Sequence, residues 1–277
     1  MIIKFYNIDP MLQNKAVSND QHAERKTFIL YFLLQITIFV GVCLSSVVSL
    51  VVASCCICMV FFGPQRTIQA ITLLILIRFM NPAVAILAPN LSIFSLGILL
   101  LSSILYIPWG MRHVANQLMP VIIFSVCALL LSGITSGSVW ISFLKIISFL
   151  LSALAVISIL NKLNVKQIRD VTVWIFSIMF AVVFLSLFTL FNHDIAYNLN
   201  GLGFQGILAH PQAMGVFLAP LVSFFIGRFM FYKKGLLSID MLLISILIYL
   251  IILTQARTAA VAVFLSFMAN VFVVKLP

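Results

Sequence analysis

Negative charge is what this sequence most conspicuously lacks: it has six Asp and Glu in 277 residues, against sixteen Lys and Arg. Charged residues of both signs reach only 8%. A soluble domain of this length needs far more charge to cover its surface, which excludes a soluble enzyme. The 64% share of AVILMFWYC excludes a disordered chain. The five cysteines (Cys43, Cys55, Cys56, Cys58 and Cys127) all lie inside apolar stretches, which excludes a secreted disulfide scaffold. Short alternating segments are missing as well, so a transmembrane barrel is excluded.

What remains are apolar runs of bilayer-spanning length and a mean hydropathy of +1.24. They predict an all-α, polytopic helical membrane protein with no soluble domain. The formal charge of +10 sits in short gaps between apolar runs and forms no basic face with interleaved aromatics. It therefore reads as a set of topology determinants beside anionic lipid, not as a nucleic-acid interface.

Residues 1–26 form a polar head carrying Lys4, Lys15, Arg25 and Lys26 against Asp9, Asp20 and Glu24. It is too polar and too long for a cleavable signal sequence and is expected to be cytoplasmic. Residues 27–277 are expected to form a single transmembrane helical domain. The uninterrupted apolar run 27–62 would be about 54 Å long as one helix, so it divides near Leu44-Ser45-Ser46. The stretch 239–274 divides at the polar turn Thr254-Gln255-Ala256-Arg257-Thr258. The resulting spans are 27–43, 46–62, 68–87, 91–107, 118–133, 139–160, 171–191, 214–231, 239–254 and 259–274, about ten transmembrane helices.

With the N-terminus inside, Arg66, Arg112, Lys162, Lys166, Arg169, Lys233, Lys234 and Lys275 all fall in cytoplasmic gaps or the tail. Among the external gaps, which include the loop 192–213 and the turn 255–258, Arg257 is the single Lys or Arg. Count and orientation thus agree with the positive-inside rule.

Ionisable residues in or beside the apolar slab cost roughly 2.5–3.5 kcal/mol at a helix centre, so each needs a polar cavity or a partner. Arg78 falls in mid-span with Asn81 on the same face, and Pro82 cannot donate to the Arg78 carbonyl. A kink is expected there, with Arg78 either binding an anion or tied to neighbouring carbonyls. Lys145 shares a helix face with Ser142, Ser148 and Ser152. That stripe means either a water-filled interior or close helix packing. Arg257, flanked by Gln255 and Thr258, is an interfacial anchor or an anion ligand. Arg228 lies close to Lys233 and Lys234 and can snorkel to the cytoplasmic surface.

His210 precedes Pro211 at a helix start, as a cap or as an acid–base group shared with His193 and Asp194 in the same loop. His22 and His113 have no partner in the sequence. Cys55-Cys56-x-Cys58 has no second ligand pair, and no HExxH or Ser-His-Asp order occurs, so neither a metal nor a cofactor is expected. Gly201-x-Gly203-x-x-Gly206 matches a dinucleotide fingerprint as a string. Without a βαβ unit it reads instead as tight turns in a loop lying on the membrane surface. Together Arg78, Lys145 and Arg257 predict a cationic external half that takes a lipid-borne anion, with diphosphate suited to guanidinium.

Two segments carry a resemblance. GLGFQGILAHPQAMGVFLAPL (201–221) resembles the stretch of O-antigen ligases and polymerases in which a glycine-rich external loop leads through His-Pro-Asn into a helix. LIILTQARTAAVAVFLSF (250–267) resembles their following hairpin with its Arg-x-x-x-Leu motif. Gln212 stands where asparagine is usual, and Val261 where leucine is usual.

The resemblance implies a bacterial inner-membrane glycosyltransferase of lipopolysaccharide assembly. Its donor would be an undecaprenyl-diphosphate-linked glycan, its acceptor lipid A–core or a growing glycan, and no metal would be needed. It implies that Arg257 holds the diphosphate and that His210 occupies the His-Pro position. The family continues into a large periplasmic loop with an H-x10-G signature and two further helices. None of the four histidines here has a glycine eleven residues later, so a short or truncated member is expected. A flippase or other carrier of lipid-linked glycan is the competing expectation, as is an inactive fragment. A carrier predicts internal repeats, and none is visible.

Overall fold

The first long apolar run breaks at a capping serine. Ser45 is extended (φ −156°, ψ 134°) and its hydroxyl accepts from the Val47 N–H, which separates α1 (Pro10–Leu44) from α2 (Ser46–Met59). A 3-10 turn, Val60–Phe62, extends α2 to Gly63. The chain continues through α3 (Pro64–Arg78), α4 (Leu91–His113), α5 (Ala115–Thr135), α6 (Val139–Lys162) and α7 (Val165–Thr189). A short α8 (His193–Ala196) precedes α9 (Pro211–Phe231), α10 (Ile239–Thr254) and α11 (Arg257–Lys275).

This computed structural model describes residues 10–89, 91–113, 115–135, 137, 139–197, 203–231 and 238–275. Residues 1–9, Gly201, Lys233 and Lys234 lie outside the described residues, as do the side chains of Lys15, Asp20, His22, Glu24, Arg112, His113 and Lys275. Among the described residues there is no strand, only two isolated antiparallel bridges, Met80 with Leu208 and Tyr197 with Phe204.

Among the described residues five stretches are long and apolar enough to cross a membrane: Arg25–Leu44, Leu91–Pro108, Val139–Lys162, Val165–Thr189 and Pro211–Phe231. Four shorter apolar helices accompany them: Ser46–Phe62, Leu118–Ile134, Ile239–Thr254 and Arg257–Phe272. The chain is therefore built as a helical, membrane-embedded protein.

Several expected boundaries move. The span expected over 68–87 is not one helix. α3 stops at Arg78, only about 22 Å from its start, and a non-helical segment runs on towards α4. The cause is local. Proline drives the preceding Asn81 out of the helical region. Asn81 then folds its Oδ1 back to accept from the Ala83 N–H at 3.0 Å, an Asx turn. Pro82 thus lies in a turn and does not kink a helix. The wide gaps expected at 108–117 and 161–170 also shrink, because α4 continues through Pro108 to His113 and α5 begins at Ala115. Between α6 and α7 only Leu163 and Asn164 remain. Asn164 and Gln167 form a reciprocal capping box that turns polar sequence into the first turn of α7.

Packing divides the bundle into three parts. α1, α2, α3 and α7 form the centre, α4 to α6 pack on one side through α4 and α6, and α9 to α11 pack on the other through α7. Lipid gives apolar faces no hydrophobic reason to associate, so close backbone approach and hydrogen bonds have to hold these parts together. At the centre, Trp174 Nε1 donates to Thr72 Oγ1 at 3.2 Å and the Trp174 carbonyl accepts from Gln35 Nε2 at 3.4 Å, which links α1, α3 and α7. Beyond it, α9 lies so close to α11 that a Cβ on Gly215 would come within 2.7 Å of Ala256 Cβ and 2.9 Å of Ala259 Cβ.

Candidate functional site

The loop leading into α9 organises one end of the bundle. Residues 203–208 are all buried, so this segment does not lie on a surface as the sequence suggested. Its own backbone polar groups explain why it can go inside, since a buried N–H needs a partner. The Phe204 N–H donates to the Leu253 carbonyl at 2.8 Å, the Gln205 N–H to the Ala196 carbonyl at 2.8 Å and the Ile207 N–H to Ser186 Oγ at 3.2 Å. Two bonds tie it to the end of α3: the Asn81 N–H donates to the Ile207 carbonyl and the Ala209 N–H to the Phe79 carbonyl, each at 2.8 Å. Asn81 Nδ2 adds a bond to the Ile195 carbonyl at 3.2 Å.

Glycine is required at two of these positions. Gly203 (φ 83°) sits against the Thr254 carbonyl and Pro211, and Gly206 (φ 60°) against Ser186, leaving neither φ nor space for a side chain. Gly203 and Gly206 of the fingerprint-like string therefore serve close packing. The loop connects α3, α7, α8, the α10–α11 turn and the start of α9.

This arrangement carries Arg78, His210, Gln255 and Arg257 to the same end. Arg78 is the last residue of α3, exposed, and donates to Ser95 Oγ of α4 at 3.2 Å. It is not buried in mid-span as expected. The bonded pair Phe79–Ala209 is immediately flanked by Arg78 on one strand of chain and His210 on the other.

His210 caps α9. Its carbonyl accepts from the Ala213 N–H at 3.0 Å and its Nδ1 accepts from the Gln212 N–H at 3.2 Å. With Nδ1 accepting that bond, the neutral ring carries its proton at Nε2, so exposed His210 presents a donor there, not a base. Gln255 takes the left-handed position after α10 (φ 53°, ψ 22°), and exposed Arg257 opens α11.

The two arginines differ electrostatically. Arg78 stands at a helix C-terminus, where the dipole favours a cation. Arg257 stands at a helix N-terminus, where a cation is disfavoured by some 0.3–1 kcal/mol. Fold stability thus explains Arg78 and leaves Arg257 unexplained. Through Gly215 the starts of α9 and α11 lie side by side, and neither has an acid in its first turn. The result is two helix N-termini, a guanidinium and an imidazole N–H at one corner, with groups of the sort that hold phosphate oxygens. A shallow depression beside Arg257 is lined by Thr258, Val261, Ala262 and Leu265. Asp194, exposed in α8, is the acid at this end among the described residues.

Lys145 does not join this cluster. It is exposed on α6, which packs on α4 and α5, and it makes no hydrogen bond or ion pair among the described residues. Of the serine stripe beside it, Ser152 spends its hydroxyl on the Ser148 carbonyl of its own helix at 2.6 Å. Of the other expected groups, His193 stacks on Tyr197 with ring centroids 4.6 Å apart. Cys56 is buried, while Cys55 and Cys58 are exposed on other faces of α2. Among the described residues no three His, Cys, Asp or Glu side chains approach closely enough to share a metal ion.

One ion pair escaped the sequence reading. Asp240, 1% exposed in the first turn of α10, accepts from Arg228 of α9 at 3.1 Å. An acid opening an otherwise apolar helix was the signal that a cation had to be near. No family model matches the chain, and no curated protein or solved structure matches it.

Proposed function

We propose that this chain is a multi-span inner-membrane protein with a cytoplasmic N-terminus that handles an undecaprenyl-diphosphate-linked glycan at the end formed by α9, α11 and the buried loop, in the manner of O-antigen ligases and polymerases. One observation carries the reading. The starts of α9 and α11 are packed together with His210 and Arg257 at their tips, and no acid in either first turn offsets them. A lipid-borne diphosphate meets this corner with its oxygens, while its polyprenyl tail stays among the apolar helix faces.

In the transfer step an acceptor hydroxyl oxygen, on lipid A–core or on another glycan, bonds to the anomeric carbon as that carbon's bond to the diphosphate breaks. The electron pair leaves with the diphosphate, which also takes up the hydroxyl proton. Arg257 stabilises the charge that develops on the departing group, with Arg78 and the His210 Nε2–H beside it. Gln255 orients the substrate from the adjoining turn, and Lys145 has no contact with this site.

In cells whose glycan transfer depends on this chain, R257A should reduce polymer transfer by about a hundredfold with protein level unchanged. Transfer retained at the original rate rejects the assignment. A carrier without a transfer step is the second reading, favoured by the way α3 breaks at Arg78 beside the same corner. A deletion strain separates the two. Loss of transfer means missing attachment or missing chain length on glycan that still reaches the outer face, whereas loss of carriage leaves the glycan trapped inside.

A further inference from the structure

At the other end of the bundle, three arginines from three helices surround one opening. Arg25 of α1, Arg169 of α7 and Arg228 of α9 rim a groove of about 720 Å³. Its walls are aromatic, chiefly Phe176 and Phe180 of α7 and Phe224 of α9. Along α7 the groove runs from Arg169 to Phe180, about 16 Å at the helical rise. Arg25 and Arg169 are exposed at its mouth. Arg228 is held in place twice, by Asp240 at 3.1 Å and over the Phe225 ring at 5.9 Å. Among the described residues Asp240 is paired with Arg228 at this rim, and Asp170 follows Arg169 in sequence.

We infer that this groove is a binding site for an anionic phospholipid, with the phosphate at Arg25, Arg169 and Arg228 and an acyl chain between the phenylalanine rings. The combination argues for a lipid over a free anion. A soluble phosphate would use the arginines and gain nothing from the aromatic depth behind them, while a neutral lipid would use the rings and gain nothing from the rim. A basic pocket between membrane helices suits an amphiphile that is charged at one end only. Snorkelling arginines without a groove would spread over separate helix faces, whereas these three converge.

The site is separate from the corner formed by α9 and α11. His210 and Arg228 sit at opposite ends of α9, so the two proposals fail independently.

The test is native mass spectrometry of the full chain in nonionic detergent, titrated with dioleoylphosphatidylglycerol or dioleoylphosphatidylcholine. The wild-type chain should retain phosphatidylglycerol with a preference of about tenfold over phosphatidylcholine. The double variant R25Q/R169Q should cut that preference to about twofold or less. Arg228 is left in place because Asp240 depends on it. If the double variant does not fold, Arg25→Gln alone carries the test, since Arg25 makes no hydrogen bond or ion pair among the described residues and its loss should still weaken the preference measurably. Excess inorganic phosphate should not displace the lipid. Equal retention of both lipids, an undiminished preference in the variants, or displacement by phosphate alone would each overturn the assignment.

Discussion

The two ends of the bundle handle positive charge in opposite ways. At the α9–α11 corner the backbone is tied down and the cations are left open. The loop 203–209 is fixed by hydrogen bonds to four neighbouring segments, while Arg257 makes no hydrogen bond or ion pair among the described residues. At the Arg25–Arg169–Arg228 end one of the three cations is tied down, since Arg228 is locked to a carboxylate that is itself 1% exposed. A cation paired with a buried acid belongs to the fold first, because losing it leaves that acid's charge behind. A cation on a rigid support with no acid paired to it among the described residues is available to a ligand. That difference, more than the number of arginines, marks the corner as the candidate site.

The strongest way to break the comparison is to deform the rigid support. Gly206→Val would force a β-branched residue into φ 60° and drive its side chain into Ser186. Left-handed strain and overpacking together should cost about 3–5 kcal/mol. The loss of folded protein on detergent chromatography after a heating series measures it. Ser186→Ala is the milder control, removing only the hydroxyl that accepts from the Ile207 N–H, and should cost about 1–2 kcal/mol. If both variants behave like wild type, the loop is not the support proposed here.

Next in size is the ion pair at the opposite end. Arg228→Ala deprives buried Asp240 of its Arg228 partner. A fully buried pair broken in this way costs about 3–5 kcal/mol, and the 42% exposure of Arg228 brings the expectation down to about 2–3 kcal/mol. Adding Asp240→Asn should recover most of that loss, which a thermal melt of the two proteins side by side would show. If the second substitution makes the protein worse instead, the pair is not what makes Arg228 structural.

Third, Arg78→Gln should cost less than about 1 kcal/mol of stability, since an exposed hydrogen bond to Ser95 and a favourable dipole position are all it gives up. In the proposed transfer it should still lower the rate, though less than R257A does. Equal effects of the two arginines on transfer would erase the distinction drawn between a helix C-terminus and a helix N-terminus.

How much of this was readable beforehand depended on whether the determining contact was local. The break at Ser45 and the turn at 254–258 were legible because a serine cap and a polar run act over a few residues. The end of α3 carried an equally local signal, Asn81-Pro82, which was outweighed by the apolar residues after it. Val84 to Leu87 suit a membrane span by composition, yet they follow a turn. The burial of 203–208 had no local signal at all. Its apolar side chains and glycines fit a surface turn equally well, and what buries it are hydrogen bonds to Phe79, Asn81, Ser186 and Leu253, spread over the whole chain. The same holds for the arginine groove, whose rim residues lie on α1, α7 and α9. The resemblance pointed to His210 and Arg257 and had no means of showing that the histidine nitrogen nearer the helix is occupied by the Gln212 N–H.

The smallest expected effect sharpens the comparison most cheaply. Lys145 was grouped with Arg78 and Arg257 because all three are cations in apolar surroundings, but exposure on α6 places it away from both ends' supporting networks. Nothing buried depends on it, so Lys145→Gln should change stability by less than about 0.5 kcal/mol. It should also leave glycan transfer and the phosphatidylglycerol preference unaltered. A lysine on a long flexible stem can reach the bilayer surface from several positions along a helix, so its charge needs no protein partner. If Lys145→Gln nevertheless lowers transfer as far as R257A does, the substrate must extend across α4 and α6 as well, and the site would be a wide cationic face and not the single corner where α9 and α11 begin.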